Sequence, residues 1–511
     1  MENSRTRNSF LNIGFSLLLQ VFIFIKGLIV PRLIITNYGS DVNGLISSIT
    51  QFLAYISLLE GGVGGVFRTS LYKPLAEGDS ERVSGIVRAQ KLFYRKLGLF
   101  FVFYVILMCA VYPLFAKTQM ARNYIISFIL ILSIGTFVEY FVSLPYASLL
   151  SADQKIRINH IVCILYNCAM IGTTVFWVYF KADVRLIYLT ICLIGILRPV
   201  FYSLYVKKHY KLSKTAKPES SALNQRFSGM VHHIAFYIHS NTDSAILTVL
   251  ISTAAVSVYN MYGAITFGVG HIANSISSGI AAGLGNLMMS GDIKSVNKTV
   301  NMFEIAQAGT ATVLYTASAL MLIPFIKLYT SGMTDINYVQ PAFGYVFIAA
   351  EAIYCFRCIY STVSINAAKY KETQKGAILE CTANLLISLF LVGVVKCGII
   401  GVAIGTVVAM IVRCVFEVCF LSKNVLYRKK RYAAKIFLVS GLLSAISIIL
   451  CKLIFNYANI DSYLKWILYA IPSGIITLVI CACGYFVFYP DTTKAIVYKL
   501  LGRKERVKPH E

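Results

Sequence analysis

The chain has 511 residues, 57% of them hydrophobic and only 14% charged, with a formal net charge of +25 and a mean hydropathy of +0.70. A soluble domain has no interior large enough to hide that much apolar surface, so the composition excludes one. The excess of Lys and Arg is matched to the anionic inner leaflet of a membrane and not to nucleic acid, because no turn is long enough to form a basic extramembrane domain.

From Phe10 to about Tyr489 some fourteen apolar stretches follow one another, separated mostly by short polar turns. They fall near 10–31, 42–66, Leu97–Ala116, 123–148, 158–180, 186–206 and 228–253 in the first part of the chain. Ser244 to Gly291 holds no Asp, Glu, Lys or Arg and is too long for one span, so it contributes an eighth after a turn near Ala254–Val258. Ile305–Ile326, 339–365, 377–395, 399–421, 435–455 and Trp466–Tyr489 complete the set. Each approaches the roughly 20 residues a helix needs to cross the hydrocarbon layer. With the N-terminus inside, the inner turns hold 31 Lys and Arg and the outer turns eight. That asymmetry places both termini in the cytoplasm. The first apolar stretch has no small-residue cleavage site and reads as a span, not a leader.

Gly78-Asp79-Ser80-Glu81-Arg82-Val83 follows the second stretch, and Gly291-Asp292-Ile293-Lys294-Ser295-Val296 follows the eighth. The offset maps span 1 onto span 7 and divides the chain into a six-helix lobe (1–206), a basic linker (207–227), a second six-helix lobe (228–421) and a trailing pair with a basic tail (422–511). An even number of spans per lobe keeps both the same way up, with a pseudo-twofold axis along the membrane normal. The expected fold is an all-α polytopic membrane protein of about fourteen transmembrane helices, two pseudo-symmetric six-helix bundles plus a C-terminal pair.

Ionisable groups inside hydrocarbon are costly and are functional candidates by default. The first lobe offers Lys26, Glu60, Glu139 and Arg198; the second offers His232, His233, His239, Asp243, His271, Glu351, Arg357, Arg413 and Glu417. Arg198, Arg357, Glu139 and Arg413 are the candidates for a substrate cavity, the arginines suited to an anion such as a diphosphate. Arg413 and Glu417 stand four apart on one helical face, so internal neutralisation is the competing reading. Ser240-Asn241-Thr242-Asp243-Ser244 crowds oxygens on one helix, which makes Asp243, with Asn241 and His239, the candidate site for a coupling ion, Na+ or H+. A structural polar cluster is the alternative there. Gly61, Gly62, Gly64, Gly65, Gly283 and Gly285 are candidates for close helix packing or bending. The thirteen cysteines lie mostly within apolar stretches and lack partners at ligand spacing, so neither a metal nor a tightly bound cofactor is expected. Every outer turn is short and no catalytic constellation is visible, so a transporter is expected and not an enzyme.

Asn12-Ile13-Gly14 leading to Pro31-Arg32, then Tyr38-Gly39-Ser40-Asp41-Val42-Asn43-Gly44-Leu45 and Gly78-Asp79, resemble the Wzx-like polysaccharide flippases of the multidrug/oligosaccharidyl-lipid/polysaccharide (MOP) superfamily. The resemblance implies a bacterial inner-membrane protein with a MOP/MATE-like fold. Its cargo would be an undecaprenyl-diphosphate-linked oligosaccharide repeat unit, carried to the outer leaflet by alternating access. It implies a cationic cavity that includes Arg198 and Arg357, and work alongside a polysaccharide polymerase and glycosyltransferases. Lipid II flippases, which share the fourteen spans and cationic cavity, and ion-coupled multidrug exporters are the alternatives.

Overall fold

The computed structural model describes residues 2–60, 63–213, 215–219, 227–289 and 292–500. The chain packs as two compact units, Met1–Met261 and Tyr262–Glu511.

In the first unit, α1 (Glu2–Tyr38), α2 (Ser40–Ala54), α3 (Ser57–Glu60) and α4 (Val63–Glu77) lead to α5 (Ser80–Phe115) and α6 (Arg122–Val138). A π-helical turn, Glu139–Ser143, joins α6 to α7 (Leu144–Ala152). Then come α8 (Ile156–Tyr179), α9 (Val184–Gly195), α10 (Leu197–His209), α11 (Phe227–Leu250) and the start of α12 (Thr253–Met289). The second unit takes the rest of α12, then α13 (Ile293–Tyr329), α14 (Pro341–Asn366), α15 (Tyr370–Leu389), α16 (Ile399–Asn424), α17 (Arg431–Ile454), α18 (Tyr463–Phe488) and α19 (Pro490–Leu500). Lipid offers the backbone no hydrogen bonds, and helices satisfy their own. Among the described residues twelve helical segments are long and apolar enough to cross a membrane. Helices α11 and α12 fall where the sequence puts spans seven and eight.

Helix α5 shows how such a segment is read. Leu97, Phe101, Val105, Met108 and Tyr112 recur at helical spacing and are buried, while Leu99, Phe103, Ile106 and Leu114 on the other face are exposed. Both faces are apolar because one meets protein and the other meets lipid. The stretches 67–92 and 290–300, which read as turns in the sequence, are largely helical where described. The repeated Gly-Asp motif explains why: Asp79 accepts from the Arg82 N–H and Asp292 from the Lys294 and Ser295 N–H groups, so each caps a long helix that starts in water and runs on into the bilayer. Gly78 takes a positive φ of 73° to make that turn.

One end of the first unit is stitched by polar contacts. Asp41 accepts from the Thr118 hydroxyl (2.7 Å), the Gln119 N–H (2.9 Å) and the Thr253 hydroxyl. The Lys117 N–H donates to the Thr248 carbonyl, and the Thr253 N–H donates to the Lys117 carbonyl. A row of hydroxyls runs inward, Ser48 with Thr248 (2.6 Å) and Tyr112 with Ser48 (2.8 Å). In the second unit α13 is the centre, with α14, α17, α18 and α19 packed on it. Thr316 donates to Ser444 (2.9 Å) and the Trp466 indole donates to the Met321 carbonyl (3.0 Å), fixing the terminal pair to α13.

A Cβ on Gly44 would lie 1.7 Å from the Thr253 carbonyl oxygen, so α2 and the start of α12 meet only because the side chain is absent. Gly44→Ala is expected to force them apart and cost roughly 1–3 kcal/mol. A thermal melt in detergent reads this as a drop in Tm of several degrees; an unchanged melt shows that the contact is dispensable.

Candidate functional site

Helices α14, α15 and α16 meet at four buried charges. Arg413 and Glu417, one turn apart on α16, pair at 2.8 Å. Arg357 of α14 lies 3.7 Å from Glu417 and 3.8 Å from Glu380 of α15, and Arg413 lies 3.7 Å from Glu380. Ser361, one turn after Arg357, accepts from that guanidinium at 3.1 Å and donates to Glu417. Arg413 also donates to the Thr373 carbonyl at 3.0 Å. Two positive and two negative groups cancel. Their relative exposures run from 0% for Glu417 to 8% for Arg357. Any anion reaching Arg357 or Arg413 has to displace a carboxylate first. Between α16 and α17, Arg428 makes a forked ion pair with Glu304, bonds to Asn301 and stacks on the Tyr432 ring.

The first unit is built differently. Arg198 follows the break at Ile196 between α9 and α10, and Glu139 opens the π-helical turn at the end of α6. The Arg198 guanidinium lies over the Tyr166 ring at 5.1 Å and reaches the Cys163 sulfur at 3.6 Å. Its Nε is buried without a hydrogen-bond partner, and among the described residues no carboxylate stands within ion-pair distance of it. Lys26 of α1 is close enough to act electrostatically on Arg198, as is Glu139, whose side chain is exposed. The balance is two cations to one carboxylate, at a level where two helices depart from regular α geometry. Irregular turns of this kind recur at functional sites. Glu60, the last residue of α3, accepts from the Tyr94 hydroxyl at 2.5 Å.

Asp243 is buried on α11 and accepts from the Tyr259 hydroxyl at 2.9 Å. The Asn241 amide donates to the Tyr237 carbonyl of its own helix (2.9 Å), and the Asn241 carbonyl accepts from Tyr55. The side chains of His232, His233 and His239 lie outside the described residues, as do Gly61 and Gly62 and the surroundings of Gly283. A Cβ on Gly64 would meet Glu60 at 2.9 Å and one on Gly285 would meet Asn366 at 2.8 Å, whereas Gly65 faces open space.

The second unit also carries an apolar groove of about 530 Å3 between α13, α14 and α17. Small residues open it: Ala311 and Ala319 on α13, Ala349 and Ala352 on α14, Gly441 on α17. Tyr315 and Phe356 line its wall and Lys452 stands toward the C-terminal end of α17. Sequence reasoning missed this groove and also Glu380. The signal for Glu380 was present, a carboxylate inside the apolar stretch 377–395.

No family model matches the sequence, and no curated protein does. Solved structures do. The lipid II flippase MurJ in an inward closed conformation superposes with a TM-score of 0.72 at 17% identity, covering 94% of this chain and 99% of that one. An inward-facing multidrug resistance MATE family transporter of the MOP superfamily gives 0.60 at 14% identity, covering 79% and 94%. The MATE multidrug transporter DinF-BH gives 0.59 at 14%, covering 82% and 97%. At these identities the likeness establishes the fold alone: an all-α polytopic membrane protein with a topology like that of MurJ and the MATE transporters.

Removing one partner of a buried charge network strands the others, which costs about 3–5 kcal/mol. Arg413→Ala is expected to lower the yield of folded protein, and replacing Arg413 and Glu417 together by Met and Gln to restore much of it. Size-exclusion profiles of the detergent-solubilised variants check this. Equal profiles for Arg413→Ala and the parent would show that the cluster contributes little to folding.

Proposed function

We propose that the chain is a flippase for a polyprenyl-diphosphate-linked saccharide, with a lipid II-type cargo as the first reading. The observation that carries it is the MurJ match over 94% of the chain, against 79% and 82% for the two MATE structures. Another MATE structure reaches 86% of the chain but at a TM-score of 0.53, below the MurJ match in both measures. A multidrug exporter is disfavoured on that ground. The oligosaccharide repeat-unit reading is the second, supported by the Tyr38–Leu45 motif.

The two units suit the two chemistries of such a cargo. A diphosphate stripped of water in hydrocarbon is prohibitively costly unless charged donors replace the water. In the first unit Lys26 and Arg198 carry more positive charge than Glu139 offsets, and the buried Nε of Arg198 has a donor to give. These two cations are the proposed diphosphate ligands, Arg198 through a forked pair of charge-assisted hydrogen bonds. The groove of the second unit, apolar along α13, α14 and α17, is the proposed berth of the prenyl chain. Arg357 and Arg413 act in this scheme as structural charges that hold α14, α15 and α16 together. No covalent bond is made or broken. Asp243, with His239 and Asn241, is the proposed coupling-ion site, and the fourteen-span count with both termini cytoplasmic is part of the same reading.

Three outcomes are expected from proteoliposomes. A lipid II-type cargo moves between leaflets, an organic cation dye does not, and Arg198→Ala slows lipid movement roughly tenfold or more, the equivalent of one charge-assisted hydrogen bond. Dye efflux without lipid movement would overturn the flippase reading; movement of a repeat-unit lipid alone would select the second reading. Gly441 faces open space, so Gly441→Phe fills the groove without distorting α17. It is expected to slow a long-chain prenyl cargo severalfold more than a short-chain analogue. Equal slowing of both would remove the groove from the tail path. Asp243→Asn is expected to abolish the dependence of lipid movement on a Na+ or proton gradient; unchanged dependence returns Asp243 to a structural role.

A further inference from the structure

We infer that the segment following α10 is a strap that stays docked on the first unit throughout the transport cycle and limits how far the cytoplasmic end of α11 moves from α5. The inference rests on the alternating-access reading for its consequence, but not for its geometry. Residues after His209 leave the helix and run across the first three turns of α5. The Ser213 N–H donates to the Ser84 hydroxyl (2.9 Å), Arg88 donates to the Ala216 carbonyl (2.9 Å), and the Glu219 N–H donates to the Gly85 carbonyl (3.2 Å). The Glu219 carboxylate receives Arg82 at 3.3 Å. At the other end the Tyr210 hydroxyl donates to Asp153 at 2.5 Å, and Lys155 pairs with the same carboxylate at 2.7 Å while lying over the Tyr210 ring. Burial and the neighbouring Asp153 hold the Tyr210 hydroxyl above the usual phenol range, so it remains a donor at every physiological pH.

Exposed ion pairs alone would not hold a linker, since each contributes little. This one has three backbone attachments, and it buries Ala216 and packs Tyr210 and Leu212 on the apolar cluster formed by α4, α5, α7, α8 and α10. Gly85 is required for the fit, because a Cβ there would lie 2.8 Å from the Lys217 carbonyl oxygen. Covalent geometry then sets the consequence. From Glu219 to Phe227 the chain reaches at most roughly 29 Å, whereas from His209 it would reach roughly 65 Å. Docking halves the allowed excursion.

The test uses the full-length protein in inside-out vesicles, with the exposed Cys168, Cys397 and Cys483 replaced by Ser. Ala216→Cys is expected to react with an impermeant maleimide at least tenfold more slowly than the exposed Lys211→Cys, with and without lipid-diphosphate saccharide. Adding Gly85→Val is expected to remove that protection. A Ser84→Cys/Ser213→Cys disulfide is expected to leave lipid movement at the parent rate. Labelling of Ala216→Cys as fast as Lys211→Cys in either condition would overturn the strap, as would a cross-linked protein that regains transport only on reduction. Should the parent itself move no lipid, the labelling still decides whether the strap is docked.

Discussion

Hydrocarbon gives a charged side chain no solvent, so each one inside the protein must find its counter-charge there or be kept for a ligand. In the second unit Arg357, Arg413, Glu380 and Glu417 settle this among themselves, with Ser361 bridging an arginine and a glutamate. The consequence reaches beyond those four residues. A unit whose interior charge is cancelled presents mainly apolar surface, and its open groove is lined mostly by small, aliphatic and aromatic residues, with the hydroxyls of Thr312, Thr316, Ser440 and Ser444 among them. The first unit keeps its imbalance at Lys26, Arg198 and Glu139. Two lobes built from similar helices thereby become chemically different.

That difference is supported by local backbone choices. Where the second unit assembles its charges, α14 and α16 are unbroken helices, and i, i+4 spacing puts Arg357 beside Ser361 and Arg413 beside Glu417. In the first unit Glu139 stands at a π-helical turn and Arg198 just past the end of α9, while Lys26 stands within the unbroken α1. A regular helix fixes a side chain's direction, and a wide turn or break redirects it. Cancelled charges need only be held, whereas the proposed diphosphate ligands would need both aim and room to move.

Much of the fold was legible in the sequence because a membrane simplifies the code. Apolar stretches and the repeated Gly-Asp motif each have a local cause, and both Asp79 and Asp292 cap the helices that follow them. The pairing of Arg413 with Glu417 was legible for the same reason, being one turn of one helix. The position of Arg357 was not. Its partners Glu380 and Glu417 lie 23 and 60 residues away on other helices, and only packing brings them together. Asp41 reads in the sequence as part of an outer turn, yet it gathers Thr118, Gln119 and Thr253. The groove left no linear trace either, since its small residues are dispersed along α13, α14 and α17 as ordinary members of apolar runs.

Small residues also decide where the units are tight and where they are open. Gly44 lets the start of α12 press onto α2, and Gly85 lets the chain after α10 lie flat on α5; in both cases a backbone oxygen occupies the space a methyl group would need. Gly441 has nothing within 4 Å of its absent side chain and leaves room in the groove. The same residue type therefore seals one face and opens another, and the neighbouring atoms determine which. A backbone carbonyl against a glycine is a fixed contact that yields only if a helix moves. An open groove over a glycine admits a flexible chain without any helix moving. Rigid closure at the ends of the first unit and soft accommodation along the second are what a protein requires if it must exclude water from the bilayer while a long apolar tail slides past it.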